Sequence, residues 1–167
     1  PNSGVYGIRH QEASTGAFQQ CHQWNKAQWI CEDKMRNLTF MEWNECTKKH
    51  LRQVEKDTEK IKSIIILSEK RLRFIQEREI NKENVSFVVE NYYEIVKELL
   101  VALLLKNGLK SDNHQCLISF FYKQYPSYGY EARLILQMSY LRNRLNYYGE
   151  SIDFSFYERH KEEFKKI

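Results

Sequence analysis

A chain of 167 residues with 42% hydrophobic content has apolar side chains enough for one good core and few for a second. Six glycines and two prolines beside abundant Leu, Ile, Glu, Lys and Arg exclude a turn-rich β fold and predict a mostly α chain. A net charge of +4 against 22 acids excludes a histone-like polycation and is compatible with a phosphate-bearing partner.

Residues 1–40 hold two of the three tryptophans and a Gln/Asn/Ser-rich text, GAFQQCHQWNKAQW, without helical or strand periodicity. They predict an irregular N-terminal extension, or a segment of expression-vector origin, ahead of a helical part over 41–167 in which Met41 is a candidate start. Thr47, Leu51, Val54, Thr58, Ile61, Ile65, Ser68, Leu72 and Ile75 follow one another by four and three residues in turn. That spacing predicts one long helix over about 42–79. Asn81 is a candidate N-cap for a second helix through Lys106, ended by Gly108, with Val85, Val88, Val89, Tyr92, Ile95, Val96, Leu99, Leu100, Leu103 and Leu104 on a wide apolar face. Ser111-Asp112 followed by Gln115 resembles a capping box for a short third helix, which has to stop before Pro126. A fourth helix is predicted over 129–148, with a seam of Leu134, Met138, Leu141, Leu145 and Tyr148 closed by Gly149. Asp153 or Ser155 can cap a closing helix. Helices of these lengths joined by short connections predict an all-α fold, an antiparallel four- to five-helix bundle.

The fourth helix ends on YLRNRLNYYG, residues 140–149. Arg142 and Asn146 lie one above the other beside the seam, as do Asn143 and Tyr147. Half-buried hydrogen-bonding groups need partners, which another helix, a second subunit or a ligand can supply. A guanidinium beside amides and a phenol suits phosphate; it equally suits a structural ion pair.

The stretches NYYEIVKELLVALLLKNGLKSDNHQCLISFF (Asn91 to Phe121) and LRNRLNYYG resemble the HEPN family, the higher eukaryotes and prokaryotes nucleotide-binding domains. The resemblance covers about residues 50 to 166. It implies a helical bundle, a homodimer, RNA or nucleotide as ligand, and a toxin–antitoxin setting beside a minimal nucleotidyltransferase. The family's ribonucleases carry an arginine, then four to six intervening residues, then a histidine. Here Tyr147, Tyr148 and Gly149 stand at that distance from Arg142. A phenol that ionises near pH 10 is a poor base at neutral pH, so the resemblance carries over phosphate binding by Arg142, Asn143, Asn146 and Tyr147 rather than the chemistry.

The alternatives are a metal-independent endoribonuclease with a divergent site of Arg142, Tyr147 and His114, and an interaction module with no ligand. His114 opens the third helix, where its other role is to pack the turn. His10, His22 and His50 fall outside the core of the resemblance, and His160 belongs to a charged tail face.

No cofactor is expected. Cys21, Cys31, Cys46 and His50 are soft ligands, but Cys21 and Cys31 lack the spacing of a zinc knuckle. Buried or free thiols are the expectation. With no apolar run of roughly 18 to 20 residues and no signal pattern, this predicts a cytoplasmic protein without membrane association.

Overall fold

The computed structural model describes residues 33–164 and 166. The chain falls into two units, residues 1–37 and 38–167. The described part of the first is a helical turn at 33–36, where Asn37 returns its backbone N–H and side-chain amide to the carbonyl of Asp33. Most of the predicted irregular segment, with Cys21, Cys31, His10 and His22, lies outside the described residues. All that follows concerns the second unit.

Its described residues are mostly helical. A short helix α1 (Trp43–Glu45) runs into a π-helical turn (Cys46–His50) and strand β1 (Leu51–Gln53). Then come α2 (Thr58–Gln76), α3 (Val85–Lys106), strand β2 (Leu109–Ser111), α4 (His114–Gln124), a 3-10 turn (Pro126–Tyr128), α5 (Gly129–Tyr148) and α6 (Phe154–Phe164). No helix among the described residues is long and apolar enough to cross a membrane.

The central element is α3, which packs against α2, α4, α5, α6 and β2. It can do so because its apolar residues run most of the way round. Val85, Val89, Tyr93, Ile95 and Leu104 are essentially removed from solvent, each burial contributing about 1.5–3 kcal/mol. From α5, Leu134, Met138 and Leu141 are buried, as expected. Tyr148 is not: it is 69% exposed, with the guanidinium of Arg144 over its ring. Gly149 ends the helix in the left-handed conformation, φ +67°, and its N–H returns to the carbonyl of Leu145. That is a glycine cap.

The long first helix over 42–79 is corrected. Residues 51–53 are extended and pair antiparallel with β2, Leu51 opposite Ser111 and Gln53 opposite Leu109. The N–H of Val54 adds a bond to the carbonyl of Gly108. Pairing with a distant segment overrides the local helical period. The helix restarts at an N-cap, Asp57, whose Oδ1 accepts from the N–H of Lys60 at 2.9 Å. On α2, Ser68 and Ile75 are buried, whereas Ile65 is exposed.

Two caps also move. The side chain of Asn81 accepts from Glu83 and Asn84 in the turn ahead of α3, which begins only at Val85. The cap of α4 is Asn113, whose Oδ1 accepts from the N–H of Gln115 at 2.8 Å. Asp153 caps α6 through Ser155.

The expected free thiols are overturned for Cys46 and Cys116, which form a disulfide with both residues fully buried. It ties the π-helical turn to the first turn of α4. The cytoplasmic expectation rested on reduced cysteines and loses that ground.

Candidate functional site

The bond between Cys46 and Cys116 and the β1–β2 pairing hold two distant segments together, and both end in polar residues. His50 closes the π-helical turn; Asp112 and Asn113 lead from β2 into α4, which opens on His114 and Gln115. These residues face Ser139, Arg142, Asn143 and Tyr147 of α5 across a cleft of about 530 Å³. Most of its lining is polar or ionisable.

Arg142 is half-buried. Its Nη2 lies 3.3 Å from Glu94 Oε1 on α3, and Glu94 also meets Lys97. The structural ion pair open from the sequence is therefore present. It is incomplete as a hydrogen bond: Arg142 Nε and Glu94 Oε1 are both buried without a hydrogen-bond partner. A phosphate oxygen could provide a guanidinium with the directed bonds that this carboxylate does not. Asn143 accepts weakly from Arg142 Nη1 at 3.5 Å.

Beneath the cleft, the buried phenol of Tyr93 donates to Ser139 Oγ at 3.1 Å. Burial raises the Tyr93 pKa above its ordinary value. His114 moves the other way. Burial, then the charges of Lys97 and Arg142, lower its pKa below the ordinary 6.5, against a smaller opposing effect of Glu94. It is consequently a neutral imidazole at pH 7, able to accept a proton.

Across from it, His50 Nδ1 stands 3.1 Å from Asp112 Oδ1, and Arg52 Nη2 meets the other oxygen of that carboxylate at 3.4 Å. A ring nitrogen facing a carboxylate fixes the orientation of the imidazole and directs Nε2 elsewhere.

Of the residues the sequence singles out, His114, Arg142, Asn143 and Tyr147 share the cleft. Asn146 does not line it: its Nδ2 donates to Glu90 Oε1 of α3 at 2.9 Å. Glu90 and Glu94 thus satisfy part of the polar flank of α5 within the chain, and weaken the case that the flank demands a second subunit. Sequence reasoning misses His50 and Asp112, although Cys46-x3-His50 and Asp112-x-His114 are visible as spacings. Only the disulfide and the strand pairing bring them together. Among the described residues no three metal-ligating side chains gather.

Comparison with known proteins finds no match: no family model, no curated protein and no solved structure is similar to this chain.

Proposed function

We propose that the second unit is a HEPN-like antiparallel helical bundle whose cleft binds the phosphate of RNA or of a nucleotide through Arg142. The observation that carries this reading is the meeting of Arg142, Asn143 and Tyr147 with His114 in one polar cleft, since these residues carry the family resemblance on two separate helices. Tyr147, 75% exposed, offers a ring on which a base can stack. The exposed pair Tyr147 and Tyr148 also gives a homodimer contact surface beside the cleft, and a monomer by light scattering at micromolar concentration would argue against that part.

The test is filter retention of single-stranded RNA at several salt concentrations. The logarithm of the binding constant should fall linearly with the logarithm of the salt concentration. Arg142→Ala should weaken it about tenfold to a hundredfold, the worth of a charged hydrogen-bonded contact. No retention, or retention indifferent to Arg142→Ala, would leave an interaction module as the reading.

A second reading, a metal-independent endoribonuclease, is favoured by one specific observation: two imidazoles, His50 and His114, line the cleft although the signature histidine is missing. Two imidazoles can share the giving and taking of protons that RNA cleavage requires.

A further inference from the structure

We propose that His50, oriented by Asp112, is the proton donor to the leaving 5′-oxygen of RNA cleaved in this cleft. The proposal rests on the endoribonuclease reading of the cleft, and names the group that replaces the histidine absent after Arg142. His50 is the second imidazole lining the cleft. Its Nδ1 is engaged at 3.1 Å by Asp112, which leaves Nε2 as the atom to meet a ligand. Arg52 engages the second oxygen of Asp112, so the carboxylate is held from both sides. The backbone beneath is fixed as well: Cys46, at the start of the same π-helical turn, is bonded to Cys116, two residues after His114. One staple thereby sets both imidazoles.

The step balances without metal or water. The ribose 2′-oxygen attacks phosphorus and its proton passes to neutral His114. The bond from phosphorus to the 5′-oxygen breaks, and that oxygen takes a proton from Nε2 of His50. Arg142 faces the charge on the non-bridging oxygens. The products are a 2′,3′-cyclic phosphate and a 5′-hydroxyl end, and solvent returns the two imidazoles to their starting protonation states.

A linkage with sulfur in place of the bridging 5′-oxygen tests this, because a thiolate leaves without a proton. The full chain should cleave an oligoribonucleotide at either linkage. His50→Gln should lose about a hundredfold or more on the oxygen linkage, the range of general acid catalysis, and less than tenfold on the sulfur linkage. Asp112 is a positioning residue: Asp112→Asn should displace the alkaline limb of the pH–rate profile on the oxygen linkage. If His50→Gln does not fold, the wild-type protein still decides. Its alkaline limb, where the donor loses its proton, should vanish on the sulfur linkage. Equal losses on both linkages, an alkaline limb that persists on sulfur, or RNA retained by the wild type without cleavage would overturn the proposal. Absence of retention would remove the binding reading itself, and the proposal with it.

Discussion

Removing the disulfide is the perturbation whose size the structure fixes best. Cys46 and Cys116 are 70 residues apart in sequence. Closing a loop of that length lowers the entropy of the unfolded chain by about 15 cal/mol/K, or about 4 kcal/mol at room temperature. Against a typical total of about 5–15 kcal/mol, that is a large share of stability. The bond also holds the π-helical turn against α4, so its loss should loosen residues 46–57 before the rest unfolds. Urea denaturation of oxidised and reduced protein, and of the Cys46→Ala/Cys116→Ala double variant, measures the first effect. Limited proteolysis reads the second. We expect a loss of about 2–4 kcal/mol and early cleavage in 46–57. A difference below about 1 kcal/mol, or peptide mapping that finds both thiols open to alkylation in unreduced protein, would refute the reasoning.

Gly149 has φ +67°, and nothing lies within 4 Å of an added Cβ. Gly149→Ala should therefore cost about 1–2 kcal/mol from backbone strain alone, read as a lower urea midpoint with an unchanged slope. Tyr93→Phe leaves Ser139 Oγ without its buried donor and should cost about 1–3 kcal/mol in the same assay. The pH dependence follows from His114 and His160, both of which burial holds below the ordinary histidine value. Between the lowered values and about 6.5 the unfolded chain binds more protons than the folded one, so stability rises with pH through that window and levels off above it. Melts between about pH 5.5 and 7.5 should show this rise, and His114→Gln should flatten it; a slope of the opposite sign, or one His114→Gln leaves alone, would contradict it.

Local signals are legible wherever the helix itself carries them. The 129–148 helix, its glycine stop and the buried Leu134-Met138-Leu141 seam follow from period and cap, and α3 follows from its apolar run. Residues 42–57 mislead for a physical reason. Their helical period is genuine, but Leu51–Gln53 gain more by pairing with Leu109–Ser111, and no local window contains that information. Asp57 ahead of Thr58 and Glu59 is a start signal available in the text. The candidate site divides the same way. Arg142, Asn143 and Tyr147 lie on one helix and are readable from spacing, whereas His50 and Asp112 are 62 residues apart and meet only through the disulfide and the two-stranded pairing.

The central claim is that RNA occupies the cleft between α4 and α5. Titration of the full chain with a short single-stranded oligoribonucleotide, followed through the histidine ring signals by NMR, tests it at the level of single residues. The account predicts that the signals of His50 and His114 shift together, that His160, which lies against Tyr130 and Phe156, stays in place, and that Arg142→Ala suppresses the shifts. Movement of His160 with His50 and His114 unmoved would contradict it.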